Sequence, residues 1–192
     1  NAGNISNVKM VSSQSVTGNA FVGGVIGKHV GGNLDNLYNI NNVTAKIGDA
    51  GGIVGAIEVT KKIEVNGCIN DGSVVAIMNN AGGITSEVSN SVVIKNAINN
   101  GLIKATLSHA GGIVAINNGM IESNQVSNGV EITGRGYVGG IATENNGIIN
   151  ECQIGSIDLS VYGAVLAGKD KNIYIGGISA INGQSGQIIN TS

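Results

Sequence analysis

Apolar positions along this chain fall in short runs of two to four residues, mostly Ile and Val, set between glycines and asparagines, and the runs recur at a fixed interval. The clearest repeat is a Gly-Gly pair with a small or β-branched residue, almost always apolar, on each side. Its copies are Phe21-Val22-Gly23-Gly24-Val25, Asp49-Ala50-Gly51-Gly52-Ile53, Asn80-Ala81-Gly82-Gly83-Ile84, His109-Ala110-Gly111-Gly112-Ile113, Tyr137-Val138-Gly139-Gly140-Ile141 and Tyr174-Ile175-Gly176-Gly177-Ile178, spaced by 28, 31, 29, 28 and 37 residues. A second element follows each pair, as in Gly119-Met120-Ile121-Glu122-Ser123-Asn124-Gln125-Val126 and Gly147-Ile148-Ile149-Asn150-Glu151-Cys152-Gln153-Ile154. A unit of this length, built of short strands and Gly/Asn corners, cannot bury its own apolar face and has to stack on its neighbours. The pattern therefore predicts an all-β chain: a β-solenoid, a right-handed parallel β-helix of about six coils with equivalent residues ~4.8 Å apart.

In that arrangement Val25, Ile53, Ile84, Ile113, Ile141 and Ile178 form one inward column, and Val22, Ala50, Ala81, Ala110, Val138 and Ile175 another. The two columns lie three positions apart, an odd number, so the intervening Gly-Gly has to bend the strand. Asparagine pairs at corners, such as Asn99-Asn100, Asn117-Asn118 and Asn145-Asn146, are expected to adopt left-handed geometry or to satisfy turn backbone through their side chains. Half-repeats at both ends, Gly3-Asn4-Ile5-Ser6-Asn7-Val8 and Gly186-Gln187-Ile188-Ile189-Asn190-Thr191, lead to the expectation that residues 1–192 are a single solenoid domain cut in mid-repeat from a larger protein. Uncapped ends of such a domain invite end-to-end self-association.

Composition agrees with the class and narrows the function. Glycine reaches 32 of 192 residues, proline and tryptophan are absent, and hydrophobic residues make up 42%. A net charge of −2 with a single arginine, Arg135, does not supply the phosphate-neutralising surface of a nucleic-acid binder. No run approaches the ~18 apolar residues of a membrane span, so no membrane insertion is expected.

The segments Gly136-Tyr137-Val138-Gly139-Gly140-Ile141 and Asn145-Asn146-Gly147-Ile148-Ile149-Asn150-Glu151-Cys152 resemble the GLUG motif, and the likeness extends over nearly the whole chain. The motif occurs in large secreted or surface-attached bacterial proteins, including adhesin-like proteins and IgA-specific metallopeptidases, which carry it outside their catalytic domain. The resemblance implies an extracellular or cell-surface accessory module.

Candidate chemistry is sparse. The two histidines, His29 and His109, lie in different repeats without a zinc-binding context, and are expected at surface or corner positions. Gly134-Arg135-Gly136-Tyr137-Val138-Gly139 fits a dinucleotide fingerprint, but the helix that must follow it is missing from the pattern. Cys68 and Cys152, three coils apart, are expected to be free, buried thiols. No cofactor or metal is expected. Aligning the strand after the second element stacks Thr44, Val75, Lys104, Glu131 and Asp158, of which Lys104, Glu131 and Asp158 would be the acid/base set of a β-helix polysaccharide lyase or glycoside hydrolase. Tyr137 and Tyr174, neighbours in one column with Phe21, and the inserted segment with Tyr162, Lys169, Asp170 and Lys171, form the expected ligand surface for a host or polysaccharide partner. The favoured reading is a non-enzymatic structural or adhesive module.

Overall fold

The computed structural model describes residues 3–161 and 173–192. These residues contain thirty short strands and no helix, and every strand pairing is parallel. One coil is represented by Ile63–Asn66, Ile69–Asn70, Val74–Ala76, Ala81–Gly82 and Glu87–Val88. Each strand stacks on its counterpart about 29 residues away, as Val65 does on Ile94 and Val74 on Ile103. The result is a parallel β-solenoid with five strand positions per coil, six stacked Gly-Gly strands, and five complete turns from Gly23 to Gly176.

Alternation decides which side chains point inward. Val43 and Ala45, Val74 and Ala76, and Ile103 and Ala105 are buried, while the residues between them, Thr44, Val75 and Lys104, lie half-buried on the outer face. Leu34, Val65, Ile94, Ile121 and Ile149 form a second fully buried column, and Ile53, Ile84, Ile113 and Ile141 a third. At the ends the predicted inward columns are less covered: Val25 and Ile178 are half-buried, and Ile175 is exposed.

The Gly-Gly pair makes the corner between Ala81–Gly82 and the next strand, and its requirement is space rather than unusual dihedrals, since none of these glycines has a positive φ. A Cβ on Gly82 would sit 1.9 Å from the Thr85 carbonyl oxygen of the same coil, and one on Gly83 would sit 2.0 Å from the Gly112 carbonyl oxygen of the next. Thus the first glycine permits the bend and the second permits neighbouring coils to close up.

A different column carries the left-handed corner. Asn7, Asn36, Gly67, Asn96, Ser123, Glu151 and Asn190 all have φ between 47° and 64°, one in each successive coil. The pairs at Asn99, Asn117 and Asn145 instead bond through their side chains. Buried Asn39 donates to the Asn70 side-chain oxygen at 2.8 Å, and Asn70 to that of Asn99 at 2.8 Å. At another corner Asn117 donates to Asn145 at 2.7 Å and Asn145 to Asn182 at 2.8 Å. Each of these amides also donates to a nearby backbone carbonyl, such as Asn70 to Gly72 at 2.9 Å.

Candidate ligand surface

The outward column that precedes the Gly-Gly strand runs Phe21, Asp49, Asn80, His109, Tyr137, Tyr174. Parallel in-register stacking sets the last three rings over one another. His109 and Tyr137 are stacked at 4.6 Å between centroids with an 11° interplanar angle, and Tyr137 and Tyr174 lie at 5.2 Å and 46°. The Tyr137 N–H donates to His109 Nδ1 at 3.1 Å, so the imidazole is neutral at that atom and carries its proton on Nε2. Gly136 provides the seat for the ring, since a Cβ there would meet His109 Nδ1 at 2.7 Å. Burial lowers the His109 pKa below 6.5, and the Glu144 carboxylate offsets part of that shift.

This geometry changes what the tyrosines offer. Tyr137 is half-buried, with His109 stacked on one face and Tyr174 packed against it at a tilt. At the two ends of the column Phe21 and Tyr174 are exposed. The expected ligand residues Tyr162, Lys169, Asp170 and Lys171 lie outside the described residues.

The charged column differs from expectation. Glu131 does pair with Asp158 on the adjacent coil, but Lys104 pairs with Thr133, two residues further along, so the three do not form one column. The misalignment arises because the strand Glu131–Gly134 begins earlier than Ile103–Ala105, and its inward Ile132, not Val130, takes the position beside Ile103. Glu131 and Asp158 are both exposed, and Glu131 accepts a hydrogen bond from the Thr133 hydroxyl at 3.1 Å. A groove of about 460 Å³ opens elsewhere, lined by Asn96, Ile98, Ser123, Asn124, Gln125, Glu151 and Gln153.

His29 is a second correction. It is buried, not at a surface corner, because it ends the strand Ile26–His29 in register with inward Ile57, and its Nε2 lies 2.8 Å from the Gly32 carbonyl oxygen. Cys68 and Cys152 are free and buried, and share an inward column with Ala97 and Asn124. Burial pushes both thiols up to about 11. Among the described residues no group of three or more His, Cys, Asp or Glu is placed to hold a metal ion.

One surface feature escaped the sequence reading. Ile47, Met78 and Leu107, each four residues before the first glycine of its Gly-Gly pair, are exposed at the tip of the same corner on three consecutive coils. The signal was present as a phased apolar column, but sequence pattern alone assigned phased apolar residues to the core.

The fold and its surface define a parallel β-solenoid with one apolar and aromatic edge. Comparison with protein-family models, curated proteins and solved structures finds no match to this chain.

Proposed function

We propose that this chain is a non-enzymatic structural or adhesive module of a larger bacterial surface protein, acting outside the cell as a stiff stalk that offers one edge to a host or polysaccharide ligand. The observation that carries this reading is the unbroken stacking of coils, with backbone hydrogen bonds running along the axis and a solid apolar interior. Such a rod resists bending and extension because each coil is bonded to both neighbours over several strands. The exposed edge with Phe21, Ile47, Met78, Leu107 and Tyr174 supports a contact role, since contiguous exposed apolar surface marks interaction sites.

A second reading is a β-helix carbohydrate-active enzyme, favoured by the pairing of Glu131 with Asp158 on adjacent coils. Adjacent strands are ~4.8 Å apart, close to the ~5–5.5 Å carboxyl separation of retaining glycosidases. Incubation with bacterial, plant and mucosal polysaccharides, followed for retention and for released reducing or unsaturated ends, separates the two. Retention without products is expected; product release that disappears in Glu131→Gln overturns the module reading in favour of the enzyme.

A further inference from the structure

The corner ridge is the only column on the sides of the solenoid, among the described residues, with three large apolar side chains exposed on consecutive coils: Ile47 at 59%, Met78 at 52% and Leu107 at 44%. Aromatic side chains flank it one coil further on each side, Phe21 at 41% exposure and half-buried Tyr137. The ridge is thus symmetric in character about Met78.

We infer that this ridge is a self-docking surface, on which a second copy of the chain packs side by side and antiparallel about a two-fold axis passing at Met78. An axis perpendicular to the solenoid and along the strand direction keeps every column opposite itself and reverses coil order. Ile47 then meets Leu107 of the second copy, Met78 meets Met78, and the Phe21 coil meets the Tyr137 coil. Polar neighbours match in this register. Asp49 falls opposite His109, whose Nδ1 is already used by the Tyr137 N–H, leaving Nε2–H as a donor toward the carboxylate. Lys46 falls opposite Thr106. Shifting the axis midway between the Met78 and Leu107 coils would set Ile47 against the Tyr137 coil, where the residue four before Gly139 is Arg135 and the apolar ridge does not continue, so the apolar match selects the Met78 register.

The contact spans five coils, four steps of ~4.8 Å, and is narrow, which places it at the small end of specific interfaces and makes the association weak. The ridge belongs to the edge that the proposed function offers to a ligand, so a ligand bound there competes with the second copy. The test uses the full 192-residue chain. Sedimentation equilibrium up to ~1 mM is expected to give a monomer–dimer equilibrium that Met78→Lys abolishes with an unchanged melting curve, because Met78 is exposed. Met78→Cys is expected to form an intermolecular disulfide under mild oxidation. Ile47→Cys alone is not, since two such residues lie two coil steps, ~10 Å, apart, beyond the ~7 Å reach of a disulfide; mixed Ile47→Cys and Leu107→Cys chains are expected to cross-link. Buried Cys68 and Cys152 supply no background, as the unsubstituted chain will check. A monomer at ~1 mM, an association untouched by Met78→Lys, or equal cross-linking at Ile47 and Met78 would each overturn the proposal.

Discussion

The side-chain amide of Asn70 donates to the side-chain oxygen of Asn99 at 2.8 Å, with both residues fully buried. Asn70 in turn accepts from Asn39, and its second N–H goes to Gly72, so the amide bridges three coils and one corner. Buried polar groups are tolerated only when paired, and stacking identical residues one coil apart pairs them by symmetry.

Asn70→Ala removes the acceptor of Asn39 and a donor to Asn99 and leaves a void, so it is expected to destabilise the chain by about 2–4 kcal/mol in denaturant unfolding. Asn100→Ala, one residue past the next rung and exposed, is expected to cost less than about 0.5 kcal/mol. Equal losses would deny the buried ladder its role.

Equivalent glycines in the Gly-Gly column differ in the space around them. Gly83→Ala drives a Cβ to 2.0 Å from a carbonyl oxygen of the next coil, whereas at Gly177 nothing lies within 4 Å. The first substitution is expected to cost roughly 3 kcal/mol or more and the second to stay within about 0.5 kcal/mol. Thermal melts of the two variants provide the comparison.

Ser123 and Glu151 hold the left-handed corner at φ 53°, where the other coils use Asn or Gly. Side chains other than Asn pay for this conformation more heavily. Glu151→Asn and Ser123→Gly are each expected to stabilise by about 0.5–1 kcal/mol, raising Tm by ~1–4 °C.

Burial favours neutral His109 in the folded chain, so the unfolded chain takes up the proton first, near its ordinary 6.5. The stability contributed by this group is complete above that value and falls as pH drops below it; protonation also removes the Nδ1 acceptor from the Tyr137 N–H. Asp49 and Glu87 act oppositely: burial raises both carboxyls, with nearby Asp49 and Glu144 adding to the shift at Glu87, so their contribution grows as pH falls through the carboxylate range. The His109→Gln variant is therefore expected to lose the decline just below neutrality while keeping the behaviour at lower pH, read by urea unfolding across pH. A parallel decline in both proteins would reject the assignment to His109.

The thiols give a further pH signature. Cys68 and Cys152, raised from 9.0 to about 11, are both neutral at pH 8 and buried. Neither is expected to react with a thiol-specific disulfide reagent at pH 8 until urea unfolds the chain. Because the folded pKa values are raised, their stabilising contribution is complete below 9 and is lost as pH rises toward 11.

Repeat period, all-β class and the main inward columns were legible in the sequence, because Ile53, Ile84, Ile113 and Ile141 keep a constant offset from the Gly-Gly pair and apolar alternation fixes which face is buried. Free, separated cysteines followed from the same spacing. Register between unequal coils was not legible. Asn70-Asp71-Gly72, Asn99-Asn100-Gly101, Asn117-Asn118-Gly119 and Asn145-Asn146-Gly147 look alike residue for residue, and the first two belong to one buried ladder and the last two to another at a different corner. Lys104 likewise seemed aligned with Glu131, until packing of Ile132 beside Ile103 moved the strand by two residues.

That the chain stacks follows from its residues: short Ile/Val strands with phased glycines have no other way to bury their apolar side chains. How each column meets its neighbours follows from three-dimensional packing. Coil-to-coil register depends on corner lengths and close packing across ~29 residues, and it set His109, Tyr137 and Tyr174 over one another, carried His29 from an expected surface corner to a buried position, and left Ile47, Met78 and Leu107 exposed as a ridge.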